Sequence, residues 1–262
     1  MGTVFTHDMW YWPAERTRTL HVYLPNGYEE STDRYPVMYF FDGHNLFFDD
    51  VATYGKSWGL KDFLDQYEKP LIIVGMECSH EGDARLDEYC PYDARMFGRQ
   101  ITGMGEQTFQ WIINDVKPWA DANLRTWAHR EATGIGGSSM GGLMSLYGAI
   151  AHNDVFSKAA CISTGVRVWA HNLRRELHDA QIDPDTRIYL SWGEHESGHC
   201  RKGADPAMDS AESRAEYSFV RHLENAGAST YCYFQPNGRH CEADWELQNG
   251  RYLDYLWLDR RW

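Results

Sequence analysis

Short runs of apolar, β-branched and aromatic residues recur along this chain, separated by longer amphipathic stretches, and this alternation constrains the fold more than any other feature. The runs cover residues 20–24, 37–41, 71–74, 159–162, 188–192 and 231–234. Their length and composition predict strands. Several are continuously apolar, as expected of strands covered on both faces. Between them, residues 107–122 place Phe109, Ile112, Ile113, Val116 and Trp119 near one helical face. Residues 143–151, 211–225 and 243–258 carry helical patterns too, with Gly227 closing the 211–225 helix. Arg260 and Arg261 follow the last helix, where cations suit the negative end of its dipole. Strand alternating with helix predicts an α/β fold with a mostly parallel central sheet and helices on both faces. Active residues are then expected at the carboxyl ends of strands. The chain has 262 residues, 43% of them hydrophobic, and no repeat or linker-like stretch, so a single domain over 1–262 is expected.

One segment carries chemistry on this scaffold. Residues 136–142 read Gly-Gly-Ser-Ser-Met-Gly-Gly, and Gly137-Ser138-Ser139-Met140-Gly141 fits G-x-S-x-G. In that pattern the central serine sits on a sharp strand-to-helix turn, and its neighbours two residues away lack side chains so that the backbones can approach. A short strand is plausible at 132–136 and a helix from 143 onward. Ser139 is therefore the candidate nucleophile. Ser138 is the alternative, but no glycine lies two residues after it. Met140, next along, offers a backbone N–H as an oxyanion donor.

A serine nucleophile needs a base and an acid, which in this fold follow in the order Ser, acid, His. The last strand, 229–235, leads into Pro236-Asn237-Gly238-Arg239-His240, which points to His240 as general base among twelve histidines. The acid is expected after the preceding strand, 187–192, where Glu194 and Glu196 compete on position alone. The same stretch, His195-Glu196-Ser197-Gly198-His199, matches H-E-x-x-H. That zinc motif requires a helix, and Ser-Gly is poor helix material, so a metallohydrolase using His195, Glu196 and His199 is the remote reading.

These residues together resemble the Putative esterase family of α/β-hydrolases, which includes esterase D-like enzymes, feruloyl and acetylxylan esterases, siderophore-triester esterases and mycolyltransferases. The resemblance runs roughly from Arg18 to Trp245. Tyr35-Pro36-Val37-Met38-Tyr39 followed by Asp42-Gly43-His44-Asn45-Leu46-Phe47 resembles its first core strand and oxyanion loop. Ser57-Trp58-Gly59, Arg85 with Glu88-Tyr89-Cys90-Pro91, the 134–142 elbow, and Gly238-Arg239-His240-Cys241-Glu242 with Trp245 match further family segments. The resemblance implies an acid three residues after the glycine ending its strand, hence Glu196. It also implies the N–H of His44 as a second oxyanion donor. His44 departs from many relatives, which carry glutamine or another residue there.

The function implied is a serine carboxylic-ester hydrolase working through an acyl-enzyme, with no metal and no organic cofactor. A soluble acyl-carbohydrate, hydroxycinnamoyl or small acyl ester is the expected substrate. A siderophore triester, or acyl transfer to an alcohol, is the alternative within the fold, and a non-catalytic binding protein a remote one. Arg85, Arg95, Arg99, Arg201 and Arg239 lie in or near the candidate substrate loops 45–56, 79–103, 165–185 and 197–209, where they would suit an acidic or catecholate acyl group. The formal net charge of −13 disfavours nucleic acid, and no stretch approaches the roughly 18 apolar residues of a membrane span. Six scattered cysteines without a C-x-x-C pair read as free thiols, although a pairing of Cys200 with Cys241 stays open. With no leader-like start, a cytoplasmic location is expected.

Overall fold

A computed structural model describes residues 1–96 and 98–257. The chain divides into two compact units, one from Met1 to Gly134 and one beginning at Ile135.

The first unit opens with a hairpin of β1 (Thr3–Tyr11) and β2 (Arg16–Leu24), paired antiparallel from Thr3↔Leu24 to Tyr11↔Arg16. The continuously apolar runs then form β3 (Val37–Phe41) and β4 (Ile72–Met76), both buried throughout and paired in parallel. The strand order here is β1-β2-β4-β3. Two short helices follow the core strands, α1 (Leu60–Leu64) and α2 (Ala84–Glu88). A small antiparallel pair, β5 (Ala94–Met96) and β6 (Arg99–Ile101), comes next. The helix expected at 107–122 is α3 (Gly105–Trp111) and α4 (Lys117–Asn123), joined by a π-helical stretch, Ile112–Val116. The wider turn keeps Phe109, Ile112 and Val116 all buried.

The second unit takes over within β7 (Thr133–Ser138), which runs directly into α5 (Met140–Ala151). Its other strands are β8 (Lys158–Ile162), β9 (Arg187–Gly193) and β10 (Ser229–Gln235), in the order β7-β8-β9-β10, with β8, β9 and β10 parallel. The parallel pairs need crossovers, supplied by α6 (Val166–Asp179), by α7 (Pro206–Asp209) and by α8 (Ala211–Asn225). The chain is thus α/β with a mostly parallel sheet and helices.

Three expectations need correction. The 165–185 stretch is not an open loop: α6 fills most of it and buries Val166, Trp169, Leu173 and Leu177 along one face. The helix expected at 243–258 is two helices, α9 (Glu242–Glu246) and α10 (Asn249–Leu256). Arg260 and Arg261 lie outside the described residues. The strand β1, half exposed and alternating, was not expected from the apolar runs.

Candidate active site

The elbow is built by close backbone approach. Ser139 joins β7 to α5 with φ +57 and ψ −124, a conformation that costs a residue with a side chain. A Cβ on Gly137 would stand 2.8 Å from the Gly141 backbone, so a glycine is sterically required at 137. The Ser139 N–H donates to the Ile162 carbonyl at 2.9 Å, fixing the turn on the end of β8. Ser138 is buried inside β7, whereas Ser139 is partly exposed. Ser139 makes no side-chain cap for α5, leaving its Oγ free of that duty. Met140 is the first residue of α5, where a backbone N–H has no acceptor within the helix.

Glu196 closes a short 3₁₀ turn, Glu194–Glu196, directly after β9. Its Oε2 accepts from the Gly193 N–H at 2.7 Å and from Ser163 Oγ at 2.8 Å, and its Oε1 pairs with His240 Nδ1. Burial alone pushes this carboxyl's pKa up. The hydrogen bond and charge of His240, with the two other donors, outweigh burial and hold it below the usual glutamate value. Glu194 has a different partner: its Oε2 accepts from the Asn237 N–H at 2.8 Å. The two glutamates therefore separate by geometry, Glu194 holding the backbone of the loop that delivers His240 and Glu196 meeting its ring.

That loop is pressed onto the end of β9. The His195 N–H donates to the Gly238 carbonyl at 2.9 Å, and a Cβ on Gly193 would lie 2.4 Å from the same oxygen. His240 packs edge-on to Trp245, with ring centroids 5.0 Å apart, and the Trp245 Nε1–H donates to Ser163 Oγ at 2.9 Å. Ser163 Oγ thus accepts a hydrogen bond from Trp245 and donates one to Glu196, while its own neighbour Ile162 holds the Ser139 turn. Ser163 and Trp245 complete a buried hydrogen-bonded base under the Glu196–His240 pair, and sequence reasoning assigned no such role to either. Ser163 follows β8 with φ +49, an outlier conformation that only the structure reveals. The His240 side chain is 49% exposed against 14% for Glu196. Among the described residues no hydrogen bond joins Ser139 Oγ to His240.

Four of the five arginines considered for substrate contact have acidic partners. Arg85 grips Asp42 through Nε and Nη2 at 2.7 and 2.6 Å, Arg201 pairs with Asp209 at 2.5 Å, and Arg239 pairs with Asp244 at 3.0 Å. Arg99 pairs with Asp87, and Arg95 is exposed on β5. The His195–His199 segment is not helical: the 3₁₀ turn ends at Glu196, and Gly198 has φ +68. In the first unit, His44 lies in a turn, Gly43–Asn45, after Asp42 at φ +58. A Cβ on Gly43 would fall 2.4 Å from the Gly75 backbone.

Residues 13–248 match the family described as Putative esterase, which is most of the chain. The chain belongs to that family. Bacillus subtilis YbbA, described as an uncharacterized protein, is 28% identical over 183 residues, covering 68% of this chain and 69% of YbbA. The fold is similar to that of an IroE-like serine hydrolase from Shewanella oneidensis, with a TM-score of 0.73 at 18% identity over 97% of this chain and 80% of that one. It is also similar to a ferulic acid esterase, with a TM-score of 0.65 at 17% identity over 99% of both chains. This family member is a carboxylic ester hydrolase. No helix among the described residues is long and apolar enough to cross a membrane.

Proposed function

We propose that this esterase is a serine hydrolase in which Ser139 is the nucleophile, His240 the general base and Glu196 the carboxylate that orients it. The observation that carries this is the Glu196–His240 hydrogen bond, made by a partly buried carboxylate whose other oxygen accepts from two donors. Glu196 fixes Nδ1 as the protonated ring nitrogen, leaving Nε2 to accept a proton. His240 takes the Ser139 hydroxyl proton as Oγ attacks the ester carbonyl, and returns it to the departing alcohol. Water then attacks the acyl-enzyme by the same route and releases the acid. The Met140 N–H and, by family resemblance, the His44 N–H stabilise the tetrahedral oxyanion. Removing one such donor costs about 10²–10³ in rate.

The substrate in this reading is a soluble ester carrying an acyl-carbohydrate, hydroxycinnamoyl or small acyl group. The exposed face of His240 supports a base reached directly from solvent. The likeness to a ferulic acid esterase supports the same class, though only at the level of fold. A panel of methyl ferulate, acetylated xylo-oligosaccharide, p-nitrophenyl acetate and a catecholate triester, assayed with and without an alcohol acceptor, tests it. Highest kcat/KM on a feruloyl or acetyl ester, with free acid as product, is the expected result. Preference for the triester, or acyl transfer to the acceptor, would contradict this substrate reading.

A further inference from the structure

A second cluster of ionisable side chains, none of them a proposed triad residue, lies in the first unit. In the first unit, His44, Glu77 and His80 each present a donor atom such that all three atoms lie within 4.8 Å of one another. Glu77 directly follows β4, His80 lies three residues on, and His44 comes from the turn after β3. His80 Nε2 is 2.6 Å from Glu77 Oε1, and the His44 and His80 rings meet edge-on at 4.5 Å between centroids.

His44 is the informative member. Its side chain is 4% exposed, and its Nδ1 is buried with no hydrogen-bond partner. Its Nε2 lies 2.8 Å from Thr53 Oγ1, and Thr53 is itself held by its N–H donating to Asn45 Oδ1 at 2.9 Å. A histidine that gives one ring N–H to a fixed oxygen keeps the lone pair on its other nitrogen, which is how metal-binding imidazoles are oriented. His21 adds a further imidazole: its Nε2 is also buried without a hydrogen-bond partner and lies 3.8 Å from Glu77 Oε2.

We propose that His44, Glu77 and His80 bind one divalent transition-metal ion of the zinc type, with His21 beside them. Two imidazoles and a carboxylate form a borderline donor set suited to Zn²⁺, Co²⁺ or Ni²⁺, not the all-oxygen set of Ca²⁺ or Mg²⁺. Donors on a tetrahedral zinc stand roughly 3.3 Å apart, so the 2.6 Å His80–Glu77 contact opens and the wider separations close on binding. His80, 54% exposed, gives the ion its path from solvent and can swing away from Glu77 to meet it. The metal site uses the His44 ring, whereas the esterase reading uses only that residue's backbone N–H, so either can fail alone.

The test uses the purified, chelator-treated protein titrated with Zn²⁺ against a chromogenic competitor, and with Co²⁺ followed by its visible d–d absorption. One equivalent bound, with a tetrahedral or five-coordinate Co²⁺ spectrum, is expected. His80→Ala and Glu77→Gln each weaken binding by roughly tenfold to 100-fold or more, while His195→Ala leaves it unchanged. Circular dichroism establishes that each variant is folded, and the exposed His80 is the safer site to truncate. Absence of stoichiometric binding by the wild-type protein would overturn the proposal. So would wild-type affinity in both His80→Ala and Glu77→Gln, or loss of binding in His195→Ala.

Discussion

At the scale of single residues, two glutamates two positions apart have opposite chemical settings. Glu196 accepts from Gly193, Ser163 and His240, whereas Glu194 accepts from the Asn237 backbone at the surface. Glu196→Gln therefore lowers kcat on p-nitrophenyl acetate by roughly 10³–10⁴, because an amide can hold the wrong imidazole tautomer. Glu194→Gln stays within several-fold of wild type in the same assay. A third glutamate, Glu216, is fully buried in α8, and burial followed by the charge of Glu212 raises its pKa well above the ordinary 4.5. It is protonated in the folded state and loses its proton above that ordinary value when unfolded. Its contribution to stability is thus complete below pH 4.5 and is lost as pH rises through the raised folded value. Glu216→Gln keeps the neutral form at every pH. Urea unfolding from pH 5 to 8 should show the variant gaining on wild type as pH rises; parallel stability curves would refute this.

Among elements, the strand–turn–helix of β7 and α5 is where residue chemistry and backbone geometry meet. The Ile162 carbonyl that accepts the Ser139 N–H is also the atom 2.6 Å from any Cβ placed on Gly142. Gly142→Ala forces α5 away from β8, at a cost of roughly 1–3 kcal/mol measured by denaturant unfolding, and esterase activity falls with it. This part of the site was legible in the sequence because glycines at fixed offsets have one steric explanation. His240 was singled out because it follows the last strand. The competition between Glu194 and Glu196 was not resolved by position, since both lie one turn beyond β9, and only the family resemblance favoured one. Ser163 and Trp245 were hidden for a different reason: a serine after a strand and a tryptophan in a helix have no sequence signature linking them across 82 positions. The α6 region read as a loop although its buried residues recur at helical spacing, because its many charged side chains mask the narrow apolar stripe.

For the whole molecule, the alternation of apolar runs predicted an α/β fold, and the strand cores fall where those runs lie. What it missed was the half-exposed β1, which pairs with β2 along its whole length and alternates outward and inward residues. Charge placement was equally invisible. The Arg18–Glu88 pair spans 70 positions and is buried at both ends, with Glu88 also accepting from the Ser79 N–H at 3.0 Å. Glu88→Gln leaves Arg18 buried without its counter-charge and destabilises the protein by roughly 3–5 kcal/mol, read from urea midpoints. All six cysteines are free, including Cys200 and Cys241, so a reducing agent should leave Tm unchanged in a thermal scan.

The central claim is that Ser139 is the nucleophile, and covalent capture tests it most directly. Wild-type protein and Ser139→Ala are incubated with a fluorophosphonate, their intact masses taken and p-nitrophenyl acetate hydrolysis followed in parallel. One adduct on wild type, with both adduct and hydrolysis absent from Ser139→Ala, is the predicted result. An adduct or undiminished hydrolysis in a folded Ser139→Ala would contradict it.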